Sequence, residues 1–207
     1  MKLDSIGIIV ELRPLGERDV VAKIFTQDYG SMSGVIKAGL VRKDKPQVGQ
    51  YGRVSWVARL DSQLGSFLFE NERNLVAPYF NDTKKMTLAG SALALLASML
   101  PERESYPALW SQTLALFATD FSYLDWEVCL LAELGYALDL ERCGNCGVST
   151  ELTFISPKTA RAICKDCGTP FADKLLRMPL TTEVTGYFLS QIAELPPARQ
   201  LISQIYI

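Results

Sequence analysis

Apolar and polar positions alternate in short runs along residues 3–75. Ile6, Ile8 and Val10 share one face of a first strand. VVAKIF at 20–25 is a second β-rich run and ends near the turn residues Gln27-Asp28-Tyr29-Gly30. Met32 to Lys37 predicts a third strand. In RVSWVARL, Val54, Trp56, Ala58 and Leu60 fall on one face, with Arg53, Ser55 and Arg59 on the other. Ser62-Gln63-Leu64-Gly65 then turns into SFLFEN, a fifth strand. A period of two is what a half-buried strand imposes. Five short strands split by Gly and Pro predict a small closed barrel, since a flat sheet of this size leaves long exposed edges.

After Pro78 the period lengthens. Asn81 or Asp82 can cap a helix that runs to Leu100, because a short polar side chain there accepts from the free amides of the first turn. A second helix is expected over about 105–119 and a third over 123–140. The third, YLDWEVCLLAELGYALDL, is apolar nearly all round: Trp126, Leu130 and Leu134 lie on one side, Leu124, Val128 and Leu131 on another. A helix of that kind sits inside a bundle. Helical spacing resumes at Thr181, and Pro196-Pro197 sets off a last short helix.

Composition is that of an ordinary folded chain. The 207 residues are 48% hydrophobic and 21% charged, with a net charge of −2. The pI is about 5.3. Residues 1–75 carry 11 Lys and Arg against 9 Asp and Glu, whereas residues 76–207 carry 10 against 14. The first part is therefore mildly basic and the second acidic. The longest uncharged run, MTLAGSALALLASML at 86–100, is shorter than the roughly 20 residues a spanning helix needs. Asp4 and Glu11 interrupt any apolar leader at the start. A cytoplasmic, non-membrane protein is expected, and in that compartment thiols stay reduced.

Reduced thiols direct attention to ERCGNCG at 141–147. Cys143 and Cys146 are followed 17 residues later by Cys164 and Cys167, in CKDCG. CxxC-x17-CxxC is the spacing of a zinc site, because two intervening residues let one tight turn aim both sulfurs at a single ion. Four thiolates leave zinc no open position, so such a site is structural. It contributes on the order of 10 kcal/mol to the folding of a small module. Gly144, Gly147 and Gly168 are expected to relax the backbone around the sulfurs, and the stretch containing TFISP and ARAI to form a returning hairpin. A redox pair or an iron–sulfur cluster would use the same residues. Cys129, mid-helix among leucines, reads as a small buried hydrophobe.

The other concentration of chemistry is basic. Lys37, Arg42, Lys43 and Lys45 fall within nine residues where the chain leaves a strand, and Arg13, Arg18, Lys23, Arg53 and Arg59 belong to the same part. Small barrels bind single strands with cationic grooves and aromatic platforms. Phe25, Tyr29, Tyr51 and Trp56 are the aromatics available, with Phe25 and Trp56 better placed in a core. Little suggests catalysis. The sequence has no histidine, the commonest general base, and no phosphate-cradling or nucleophile-elbow motif.

These parts occur in a familiar order. GIIVELRPLGERDVVAKIFTQDYGSMSGVIKAG, then WEVCLLAELGYALDLERCGNCG, then SPKTARAICKDCGTPFADKLL resemble the RecO family of bacterial recombination mediators over nearly the whole chain. The Lys37-Ala38-Gly39 step has one residue more than the family's Lys-Gly. The resemblance implies a multi-domain chain: a five-stranded OB-fold β-barrel over 1–77, then an α-helical domain over 78–207 with a four-cysteine zinc-binding insert at about 141–170. It implies one structural Zn2+ held by Cys143, Cys146, Cys164 and Cys167. It also implies non-catalytic work on single- and double-stranded DNA, including strand annealing. In that work the family acts with RecR, contacts the acidic C-terminal tail of single-stranded-DNA-binding protein, and so indirectly serves RecA, in the cytoplasm and at the nucleoid during repair. Lys37, Arg42, Lys43 and Lys45 would neutralise phosphates, with Arg13, Arg18 and Arg53 as additions. A zinc-stabilised protein-interaction adaptor that does not touch nucleic acid is the alternative.

Overall fold

A computed structural model describes residues 1–59, 64–119 and 122–204. Five strands open the chain: β1 (Lys2–Leu15), β2 (Asp19–Thr26), β3 (Gly30–Ile36), β4 (Gln50–Val57) and β5 (Gly65–Asn74). They pair in the order β1-β2-β3-β5-β4, and β4 returns to β1, so the sheet closes into a barrel. β3 and β5 run parallel and the other pairs antiparallel. Val54, Trp56 and Ala58 are buried, as their alternation requires. Leu60 lies outside the described residues. Ile9, Ile24, Met32, Phe67 and Phe69 join Val54 and Trp56 in the barrel interior.

β1 has no solvent face along its middle. Ile9 turns into the barrel, while Ile8 and Val10 pack into a second core shared with the helices. A bulge between Ile9 and Glu11 leaves Val10 without a partner across the strand pair. Bulges bend a strand and re-aim its side chains.

The helices are α1 (Thr83–Met99), α2 (Pro107–Ala118) and α3 (Tyr123–Glu133). Asp82 caps α1, accepting from the Lys85 amide at 2.9 Å. α3 ends about seven residues before the expected 140. Gly135 takes a left-handed φ of +85°. The Tyr136 amide then donates to the Leu131 carbonyl at 2.8 Å and the Gly135 amide to Ala132 at 3.0 Å. This pair of bonds closes a helix with glycine just past its end. The apolar spacing of Tyr136, Leu138 and Leu140 continues after the helix has stopped, because Leu138 and Leu140 still pack on the core in extended form.

The chain then forms a three-stranded sheet in the order β7-β6-β8: β6 (Leu152–Ile155), β7 (Ala162–Cys164) and β8 (Leu176–Arg177). The one-turn helix α4 (Lys165–Gly168) follows β7. α5 (Thr182–Ile192) and the short α6 (Pro197–Gln200) complete the helical part.

Aromatic and polar contacts add to the core that barrel and helices share. Trp110 of α2 meets Phe25 edge-on at 5.4 Å and stacks on Tyr51 at 6.4 Å between centroids. Lys23 of β2 donates to the Ala97 carbonyl at 2.6 Å, placing a cation at the C-terminal end of α1 where the helix dipole favours it. The 102–103 segment lies along β3: the Arg103 amide donates to Ser31 O at 2.9 Å, and its guanidinium sits 4.8 Å from the Trp56 ring centre.

The C-terminal end is clasped by a buried ion pair. Glu127 of α3 is 0% exposed and Arg199 of α6 is 3% exposed. Arg199 donates to both Glu127 oxygens and to the Thr182 carbonyl, and the Thr185 hydroxyl donates to Glu127 Oε2 at 2.5 Å. Every polar atom of that carboxylate is thus matched in the interior. Removing one partner would strand the other charge in the core. Arg199→Ala is expected to lower unfolding free energy by about 3–5 kcal/mol in chemical denaturation, and the double replacement Glu127→Leu/Arg199→Leu to lower it less than the single change.

Candidate metal centre and nucleic-acid interface

The chain that leaves α3 runs beside β7 before it reaches the first cysteine. The Asp139 amide donates to Ala160 O at 3.0 Å and the Ala162 amide to Asp139 O at 2.8 Å. Cys143 starts a tight turn: its amide donates to Val148 O at 2.7 Å, and the Gly147 amide returns to Cys143 O at 2.9 Å. Gly147 takes φ +81°, which a residue with a side chain would adopt only with strain. Gly144 and Gly168, grouped with it on sequence, are not left-handed. They serve close approach instead: a Cβ at Gly168 would fall 2.3 Å from the Phe154 ring, and one at Gly144 would fall 3.0 Å from Arg161. β7 delivers Cys164, and α4 turns Cys167 back toward it.

The four sulfurs of Cys143, Cys146, Cys164 and Cys167 all lie within 4.8 Å of one another. Cys146 and Cys164 are 3.7 Å apart, Sγ to Sγ. A tetrahedral ion at the usual Zn–S length of ~2.3 Å sets its sulfurs ~3.8 Å apart, whereas a disulfide needs ~2.05 Å. All four are free thiols. The cluster can therefore hold a metal ion.

Its electrostatics favour a cation. Burial acts to raise the Cys143 thiol, but amide N–H groups of Cys164, Cys146 and Asn145 point at it and hold it at about 6. The Cys167 amide acts the same way on Cys164, yet burial and the thiols of Cys167, Cys146 and Cys143 push that group up. Donors thus wait for thiolates that cannot all ionise without a positive charge between them. Asn145, which sequence reasoning passed over, donates from Nδ2 to Cys167 Sγ at 3.2 Å and bridges the two turns. Only its place inside the CxxC hints at the role. Cys129 is half-buried on α3, and burial raises its thiol.

The basic residues fall into groups. Lys37 leaves β3 and reaches Asp19 Oδ2 at 3.0 Å. Ala38 follows with φ +55°, its amide donating to Asp19 Oδ1 at 2.8 Å. That amide and Lys37 hold the Asp19 carboxyl below its ordinary value. The Leu40 amide donates to Arg18 O at 2.8 Å, so the loop packs on the β1–β2 turn. Beyond it Arg42, Lys43 and Lys45 line a groove of about 560 Å³ over Leu68, Glu70 and Asn71 of β5. A smaller groove of about 270 Å³ adjoins it through Leu68 and Glu70, with Arg53 on its wall. Arg13, Arg18 and Lys37 line neither groove.

Carboxylates answer several of these cations. Arg42 grips Asp44 with two bonds of 3.1 and 2.7 Å. Arg13 meets Glu11 at 2.8 Å and Arg53 meets Glu72 at 3.7 Å. Arg18, Lys43 and Lys45 make no ion pair among the described residues. The aromatics offer no exposed platform. Phe25 and Trp56 are buried; Tyr29 and Tyr51 are partly buried, Tyr51 between Trp110 and an Arg73 guanidinium 4.8 Å from its ring centre.

A five-stranded barrel closed in this order is OB-like, the class of small barrel that grips oligonucleotides and oligosaccharides. The family model "Recombination protein O N terminal" matches residues 1–70, and "Recombination protein O C terminal" matches residues 81–179. DNA repair protein RecO of Dinoroseobacter shibae is 37% identical over 182 residues, which cover 84% of this chain and 76% of the relative. The RecO of a Jannaschia species is also 37% identical over 188 residues, covering 87% and 76%. That of Cereibacter sphaeroides is 34% identical over 214 residues, covering 92% and 88%. The chain belongs to the RecO family of DNA repair proteins. Among the described residues no helix is long and apolar enough to cross a membrane.

Replacing a buried ligand should show what the cluster does. Cys143→Ser and Cys164→Ser are expected to abolish one equivalent of bound metal and to open the 141–170 segment to protease, while Cys129→Ser changes neither. Cys143 is depressed from 9 to about 6 in the folded chain. Its thiolate therefore favours the folded state above pH 9, and that contribution fades as pH falls through about 6. Metal release followed with a chromogenic chelator should rise as pH falls, because protons compete with the ion for the thiolates.

Proposed function

We propose that this RecO-family chain is a non-catalytic DNA-binding mediator of recombinational repair. It binds single- and double-stranded DNA, anneals complementary strands, and with RecR helps load RecA onto gaps coated with single-stranded-DNA-binding protein, whose acidic tail it contacts. Residues 1–77 form the nucleic-acid-binding domain and 78–207 the helical domain that meets protein partners. The four cysteines hold one structural Zn2+ per chain. The chain works in the cytoplasm, at the nucleoid during repair.

The observation that carries the reading is the barrel groove walled by Arg42, Lys43 and Lys45. A local cationic wall can hold phosphates on a chain whose net charge is −2, because screening confines the far acidic surface to short range. Lys43 and Lys45 act first, since they carry no carboxylate partner among the described residues. Arg42 contributes after it releases Asp44. Lys37, Arg13, Arg18 and Arg53 are secondary contacts outside the main wall. The adaptor reading has one observation in its favour: Arg13, Lys37, Arg42 and Arg53 each already meet a carboxylate.

Salt dependence separates the two. Each phosphate neutralised on a single strand contributes a slope of roughly −0.7 in log affinity against log salt. Arg42→Ala/Lys43→Ala/Lys45→Ala is expected to flatten that slope by roughly 1.4 to 2, the lower end if Asp44 keeps its hold on Arg42, and to weaken binding for every sequence tested. An unchanged slope would remove the groove from the DNA-binding surface. No binding of the parent chain at low salt would leave the adaptor reading.

A further inference from the structure

We infer that Leu68 is the base-contacting residue of the barrel groove and that it biases this groove toward single strands over duplex. The inference rests on the DNA-binding reading above.

Leu68 is 63% exposed although it stands mid-strand on β5. Its neighbours Phe67 and Phe69 point into the barrel, so Leu68 points out. It lies opposite Ser55 in register and diagonal to Val57, which is also half exposed. Leu68 lines both grooves and joins them into one trough. Arg42, Lys43 and Lys45 line one groove of that trough and Arg53 the other, with the carboxylates Asp44, Asp4 and Glu70 among them.

An exposed aliphatic floor between separated cations complements a polymer with an anionic backbone and apolar base faces. A phosphate backbone repeats its charge along the trough, which a single carboxylate-bearing side chain would not do. Base stacking on aromatics is the usual device for strands of any sequence. Here Phe25, Trp56, Phe67 and Phe69 are buried and Tyr29 and Tyr51 partly buried, and Leu68 is the most exposed large apolar side chain among those lining the two grooves. Duplex DNA buries its base faces by stacking, so the floor can meet only unpaired bases. Phosphates are common to both forms, so the cations attract both.

The test compares a labelled oligothymidylate with a hairpin duplex, by fluorescence anisotropy over a range of salt. Leu68→Ser should weaken single-strand binding by about tenfold, leave the salt slope unchanged and leave duplex binding unchanged. Leu68→Trp should tighten single-strand binding by about fivefold or more. An exposed position tolerates both changes, and circular dichroism verifies the fold. Equal weakening of both forms, or of neither, overturns the inference while a normal response to the triple alanine variant leaves the DNA-binding reading standing. Loss of binding to a synthetic acidic peptide with an apolar end, with DNA binding intact, would assign Leu68 to a protein partner and overturn it too. If the parent chain binds neither oligonucleotide at low salt, both readings fall together.

Discussion

The packing of Trp110 against Phe25 and Tyr51 decides which side of the barrel remains for a ligand. A five-stranded barrel has a full outer surface, and a helical part must cover some of it. Here β1 and β2 turn Ile8, Val10 and Phe25 outward into the helical core. That contact buries large apolar groups, each worth roughly 1.5–3 kcal/mol of transfer free energy. Lys23 and the Arg103 segment reinforce it with polar contacts between the barrel and the helical part. The β4–β5 face and the 37–46 loop are left to solvent, and the grooves lie there. The basic loop is thus confined to one role by a hydrophobic contact elsewhere on the barrel.

The cysteine cluster solves a different problem at small scale. Residues 141–170 contain two strands of three and four residues and a one-turn helix, too little to bury a core of their own. Phe154 and Ile155 supply most of their large buried side chains. A metal held by the four thiolates would replace the missing core, and the amides aimed at Cys143 and Cys164 would stabilise the charge this requires. The Glu127–Arg199 clasp does comparable work for α6, which is four residues long and could not dock by apolar contact alone. Both devices would fasten short elements to a larger core through charge, fully paired in the Glu127–Arg199 clasp.

Much of this was legible in the sequence because it is local. Strand alternation, the Asp82 cap and the CxxC spacing depend on residues within a few positions of each other. What was not legible depends on distance along the chain. Glu127 and Arg199 are 72 residues apart, and nothing local set Glu127 apart from Asp125 and Glu133 on the same helix as the one that needed a buried partner. Lys23 counted as a basic residue of the barrel, yet its charge is engaged by the end of α1. The end of α3 is an instructive local failure. Gly135 announced it, but the apolar spacing of Tyr136, Leu138 and Leu140 ran on and masked it.

The ion pairs matter most for how the basic face would respond to DNA. A cation that already holds a carboxylate must exchange one anion for another, and the gain is a difference between two similar attractions. Exposed pairs of this kind are worth at most about 1 kcal/mol, so they are broken easily but gain little on exchange. Salt acts in opposite senses on the two steps, because it weakens the pair that breaks as well as the contact that forms. Arg42 with Asp44 and Lys37 with Asp19 should therefore add less to the salt slope than their charge suggests. Lys43 and Lys45, which have no carboxylate partner among the described residues, would exchange water and mobile anions for phosphate. On this argument the number of basic residues in the loop overstates its electrostatic reach. On the proposed DNA-binding reading, the two lysines between Arg42 and Pro46 would set most of the ionic part of the affinity, and the apolar floor beside them the form of nucleic acid that binds.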